Sequence, residues 1–241
     1  MNSVRLLFSS AAFFFGLFIY SGTTTAQSIQ FGLNGGLSMT SHIGQFHFQQ
    51  EDINMELDPV IQLGYQAGII LRKNFSDSFR LQAEPSLVML GARYEEPFTL
   101  RGFEFETDSR TELLYLQLPL LLQFSTSPPS QVVYGNPYPY TTFHFTGGVF
   151  GGYLLDAKFT GTNTGATVGV PFEGDFSNNI TSQYSEYDGG AILGVGVERG
   201  SSSKIGFESR LIYSLVDSGN APDLSFEPRN FAVTFSIYYL F

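Results

Sequence analysis

The 241-residue chain has no cysteine and no tryptophan. The missing cysteine excludes disulfide staples, a thiolate metal site and a cysteine-linked lipid anchor. Basic residues are scarce: 12 Lys and Arg stand against 22 Asp and Glu, a formal net charge of −10. Phosphate backbones are bound by basic patches, so nucleic acid is excluded as a partner. Long apolar runs are missing too. Beyond residue 26 no stretch approaches the roughly 20 apolar residues that a helix needs to cross a bilayer.

The first residues form a separate unit. Arg5 is a short positive region, Leu6 to Tyr20 is apolar, and Ser21 to Ala26 is small and polar. This pattern predicts a secretory signal peptide over residues 1–26, cut after Thr24-Thr25-Ala26, with the working domain over residues 27–241. The apolar run, about 15 residues, is short for a spanning anchor.

The chain carries 25 Phe, 13 Tyr and 26 Gly. They recur with period two, the spacing that sends successive strand side chains to opposite faces. The closing stretch, RNFAVTFSIYYLF, shows it most plainly. Phe231, Val233, Phe235, Ile237, Tyr239 and Phe241 share one face, and the other face is mostly small or polar. Seven further segments read the same way: Ile29 to Met39, Ile61 to Arg72, Phe79 to about Arg93, Arg110 to Phe124, Thr142 to Lys158, Tyr187 to Arg199 and Lys204 to Val216. Several exceed the usual 5–6 residues of a soluble strand.

The charges on the polar faces separate a soluble sandwich from a membrane barrel. Arg72, Arg80, Glu84, Asp156, Asp188, Glu198, Glu208 and Arg210 all fall opposite the apolar ladders. Eight charges in one dry sandwich core would be prohibitive. Inside an eight-stranded barrel they can pair and fill a lumen just wide enough for side chains. The expected fold is therefore an all-β, eight-stranded antiparallel transmembrane up-and-down β-barrel. Its interior reads as a plugged polar network, its outer face meets outer-membrane lipid, and it belongs in the cell outer membrane.

Connection lengths fit that reading. Lys73 to Ser78 and Gly200 to Ser203 are short, as periplasmic turns are, whereas four other connections run from about a dozen to thirty residues, as extracellular loops do. Acidic residues concentrate in these long connections, among them Glu51, Asp52, Glu95, Glu96, Glu104, Glu106, Asp108, Glu173, Asp175 and Asp223. Such a rim is either a solvated surface or a site for cations or a basic partner. Ser125 to Tyr140 departs from the pattern, being long and holding four prolines on the periplasmic side. It reads as an insertion or as a docking loop for an envelope partner.

Tyr115 to Phe124, YLQLPLLLQF, resembles the fourth-strand motif of the PorT-like outer-membrane β-barrel proteins of Bacteroidetes, with Tyr115, Leu116, Pro119, Leu120 and Leu121 carrying the likeness. Gly147 to Leu155, Asp188 to Glu198 and the closing strand are similar to that family too. Gln117 stands where the family often has Glu. The resemblance implies that Tyr239 and Phe241 form the C-terminal signal read by the barrel assembly machinery, and it points to secretion or envelope proteins as partners.

Catalytic chemistry has little to draw on. The three histidines are His42, His47 and His144. His42 and His47 read as loop residues, and His144 as a lumenal residue at the periplasmic end. No nucleophile–base spacing, phosphate loop or metal motif accompanies them. No cofactor and no enzyme activity is expected. Three functions stay open at this point: a structural or interaction barrel accessory to secretion or envelope assembly, a surface adhesin or ligand-binding barrel, and a rim enzyme acting on lipid or peptide.

Overall fold

The computed structural model describes residues 29–44, 46–50, 53–100, 103–126, 132–133, 136–137, 139–167, 170–219 and 228–241. The expected signal peptide lies outside them. Eight staves form a ring: β1 (Ile29–Ile43), β2 (Gln62–Asn74), β3 in two pieces (Phe79–Ala83 and Ser86–Leu100), β4 (Phe103–Ser125), β5 (Tyr140–Thr167), β6 (Tyr187–Gly200), β7 (Lys204–Ser214) and β8 (Arg229–Leu240). Each pairs antiparallel with its sequence neighbour, and β8 closes on β1 from Leu240 opposite Gly32 to Arg229 opposite Ile43. Closure leaves the ring itself without a free edge.

The alternation dictates which way each face turns. Leu63 is 72% exposed and Phe145 69%, whereas Arg72 and Glu208 are 0% exposed. Water as the outer solvent would favour the reverse arrangement. A barrel in lipid puts apolar side chains out and polar ones in.

Two prolines shape the wall where β3 is interrupted. Pro85 and Pro119 have no N–H to give to a ladder. The β3–β4 pairing stops at Ala83 opposite Leu120 and resumes at Ser86 opposite Gln117, so the register is kept. Within this gap the Glu84 amide donates to the Pro119 carbonyl at 3.0 Å and the Ile69 amide to the Pro85 carbonyl at 3.0 Å. The side chain of Glu84 is thereby held toward the lumen.

The turns at Phe75–Ser78 and Ser201–Ser203 are short and sit at the same end as Ile29 and Phe241. Short turns mark the periplasmic end of such barrels. The opposite end is uneven. The second piece of β3 (15 residues), β4 (23 residues) and β5 (28 residues) rise above the other staves as one sheet. Ile53–Leu57 and Val170–Asn179 extend it on either side, with Phe46–Gln50 beyond the first. The β3–β4 connection expected as a loop is a continuous ladder down to Leu100 opposite Phe103. The Ser125 to Tyr140 connection contains one small ladder, Asn136–Pro137 against Val132–Val133.

Candidate functional site

The lumen is filled in two tiers. The periplasmic tier is built on Glu198 of β6, which accepts hydrogen bonds from five staves. Its donors are Arg72 Nη1 of β2 (2.7 Å), Arg80 Nη1 of β3 (2.5 Å), Thr142 Oγ1 of β5 (3.3 Å), Lys204 Nζ of β7 (2.8 Å) and Tyr238 O–H of β8 (3.1 Å). Arg72 also donates through Nε to Gln82 Oε1 at 2.5 Å, and its guanidinium lies 5.3 Å from the Tyr238 ring centroid. Three cations thus share a single buried carboxylate, and the aromatic face and amide oxygen take part of the remaining charge.

A second ionic layer stands above it. Arg210 of β7 grips Glu84 through two contacts of 2.6 Å and reaches Glu208 on its own stave at 2.8 Å. Asn34 Nδ2 of β1 donates to Glu84 at 3.0 Å, and Gln82 Nε2 donates to the same carboxylate. His144 Nε2 of β5 lies 3.6 Å from Glu208. Glycine makes room for these groups. A Cβ on Gly206 would fall 2.1 Å from the Tyr238 ring, and one on Gly196 would fall 2.4 Å from the His144 ring.

The extracellular tier adds an apolar cluster among buried polar side chains. Val88, Leu90, Leu113, Tyr115, Phe150, Leu154, Ala157, Ile180, Tyr184, Ile192 and Ile212 pack together, all at 8% exposure or less. Some of its polar groups pair with one another. Asp188 accepts from Ser214 Oγ at 2.9 Å, Asn230 Nδ2 at 3.0 Å and the Gly189 amide at 2.7 Å. His42 Nδ1 lies 2.8 Å from the Tyr94 hydroxyl.

The structure brings together six of the eight charged residues singled out above: Arg72, Arg80, Glu84, Glu198, Glu208 and Arg210. Asp188 is buried in the lumen but stands apart, in the upper tier. Asp156 is not in the lumen. The β4–β5 register shifts between Leu154 and Asp156, and this bulge flips the facing of the residues after it. Asp156 instead pairs outside with Lys158 Nζ at 3.0 Å and accepts from Asn179 Nδ2 at 3.3 Å. The expected polar network does not fill the whole interior, since the upper half also holds an apolar cluster. His42 is not a loop residue: it lies in β1 and is buried. His47 falls in Phe46–Gln50, and its side chain lies outside the described residues.

Alternation carries three network members that the charge pattern passed over. Gln82, Lys204 and Tyr238 occupy inward positions on their staves, in step with Arg80, Glu208 and Ser236, and His144 stands in the lumen at the periplasmic end, where the sequence puts it. Among the family-motif residues, Tyr115 and Leu121 are buried inside, Leu116 is exposed outside, and Pro119 lines the interruption in β3. Tyr239 and Phe241 stand on the outer face with their rings 5.2 Å apart, edge to face. Among the described residues no group of three or more His, Cys, Asp or Glu side chains converges as a metal site.

Comparison with known proteins agrees with this architecture. A family described as "Outer membrane protein beta-barrel domain" matches residues 25–220. No curated protein matches the chain. Among solved structures, the attachment invasion locus protein Ail of Yersinia pestis, crystallised with the heparin analogue sucrose octasulfate, is 12% identical. That match covers 89% of this chain and 99% of Ail, with a TM-score of 0.35. The outer membrane protein OprG of Pseudomonas aeruginosa is 13% identical over 89% of this chain and 97% of its own, with a TM-score of 0.44. With most of its length matched by that family, a closed ring of eight staves and an apolar outer wall, this chain belongs to the outer membrane protein beta-barrel domain family and resides in the outer membrane.

Proposed function

We propose that this protein is a PorT-like, closed and non-enzymatic barrel that serves as a membrane-embedded platform for envelope or secretion proteins. The observation that carries this reading is the filled lumen. Among the described residues, ion pairs span the bore and an apolar cluster packs above them, which supports a closed barrel whose working surfaces are the two rims. His144 and Glu208, which lie 3.6 Å apart inside the barrel, are both buried away from substrate. The Tyr115-Leu116 and Pro119-Leu120-Leu121 run supports the PorT-like assignment. Removal of residues 1–26 and recognition of Tyr239 and Phe241 by the barrel assembly machinery complete the proposed route to the membrane.

The Ser125 to Tyr140 connection is the proposed docking segment on the periplasmic side, because it alone breaks the rule of short turns there. Deleting residues 127–138 tests this. Loss of co-purifying envelope proteins, with the heat-modifiable barrel band retained, is the expected result. Unchanged co-purification would remove the platform reading. A second reading, a surface binder, draws on the raised β3–β4–β5 sheet with its exposed Asp108, Glu173 and Asp175. Neutralising these residues without loss of surface binding would count against it.

A further inference from the structure

A groove of about 720 Å³ lies on the outside of the barrel at the foot of the raised sheet. Its lower lip is made of Ile61, Leu63 and Met89. Ile61 and Leu63 belong to the exposed ladder that continues down β2 through Tyr65 and Ile69, so the lip opens directly onto the lipid belt. Its upper wall is polar. Arg93 is held by Asp108 through contacts of 2.8 and 2.6 Å. Arg110 Nε contacts Glu112 at 2.9 Å and Thr160 Oγ1 at 3.2 Å. Asp175, across the groove on Val170–Asn179, accepts from Thr162 Oγ1 at 2.7 Å.

The sign and spacing of these charges narrow the occupant. Two guanidiniums stand among three carboxylates, so the wall is neither a cationic cradle for a polyanion nor a bare acidic patch. An occupant with a phosphate and an ammonium on one small head would satisfy both signs. Arg110 binds its described partners through Nε alone, which leaves the N–H donors of its terminal nitrogens for a phosphate. Glu112 and Asp175 offer acceptor oxygens for an N–H donor. An acyl chain would then run down over Leu63 and Met89, where the surface is already built for lipid. The volume falls within the usual range of small-ligand sites.

We propose that this groove is a binding site for a phospholipid with a zwitterionic phosphate–ammonium head that can donate hydrogen bonds, seated with its tail on the β2–β3 ladder. The inference rests on the barrel's place in the membrane and not on the platform reading, so either can fail alone.

The test uses the full-length protein in mixed micelles. Phosphatidylethanolamine, phosphatidylglycerol and phosphatidylcholine are added in equal amounts, and retained lipid is read by native mass spectrometry. Phosphatidylethanolamine should be retained in preference to both others, since phosphatidylglycerol lacks the ammonium and phosphatidylcholine lacks its N–H. Arg110→Gln should weaken that retention about tenfold, the factor that one lost charge-assisted contact would give. Leu63→Gln, which spoils the tail ledge without adding a charge, should do the same. Heat-modifiable mobility shows that each variant is folded. Equal retention of the three lipids, or undiminished retention by both folded variants, would overturn the proposal.

Discussion

Glu84 on β3 and Arg210 on β7 meet across the full bore of the barrel, four staves apart in a ring of eight, through two contacts of 2.6 Å. Arg72 on β2 and Glu198 on β6 repeat the relationship one stave round, at 2.7 Å. Buried cross-bracing of this kind binds opposite walls that no backbone ladder connects. Removing the cation that two buried carboxylates share leaves both short of a counterion, which costs about 3–5 kcal/mol. Arg210→Met strands Glu84 and Glu208 together, whereas Glu84→Leu leaves Arg210 its Glu208 contact. The first is therefore expected to lower the urea midpoint of the folded, heat-modifiable form more than the second, and equal midpoints would contradict the pairing.

Glu198 and Lys204 are in contact, yet they differ in what their loss leaves behind. Glu198→Ala strands Arg72, Arg80 and Lys204 together, three like charges in one buried layer. Lys204→Met leaves Glu198 with two arginines. The first variant should fail to give a heat-modifiable band on refolding, and the second should fold with a reduced midpoint. Equal behaviour of the two would show that Glu198 is not the centre of the tier.

Gly206 faces the Tyr238 ring at a distance that admits no Cβ. Gly206→Ala should cost about 1–3 kcal/mol through overpacking. The same substitution in a Tyr238→Ala background should cost little, because the obstacle is gone. Denaturation midpoints of the four forms give the coupling directly.

Asp156 and Asp188 offer a paired test of the β5 bulge. Asp156 sits outside with its Lys158 partner, so Asp156→Asn should change stability within about 0.5 kcal/mol. Asp188 is buried and accepts three hydrogen bonds, so Asp188→Ala should cost about 1–3 kcal/mol or more. The opposite ranking would place Asp156 in the lumen.

These two residues also show how far alternation carries. Parity placed Arg72, Arg80, Glu84, Glu198, Glu208 and Arg210 inside because their strands keep an unbroken period of two across the ring. The same count fails at Asp156, since a bulge changes facing without any mark in residue type. The apolar cluster of the upper tier was hidden for a different reason. In LLYLQLPLLLQF both faces of β4 are largely apolar, and only burial tells inward Leu113 and Leu121 from outward Leu116 and Leu122. The raised sheet was hidden by its charge. Asp108 read as a loop residue and Arg93 as the end of a strand, although opposite charges placed diagonally on adjacent strands can hold a ladder together above the membrane. There the Arg93 hydrogen bond keeps the Asp108 carboxyl below its usual value.

In the proposed reading the bore is closed by side chains, and single-channel recording of the purified, refolded protein in planar bilayers shows whether it is. A flat baseline is expected for the wild type across the range of applied voltage. Stable, repeated conductance steps from the intact protein would contradict it.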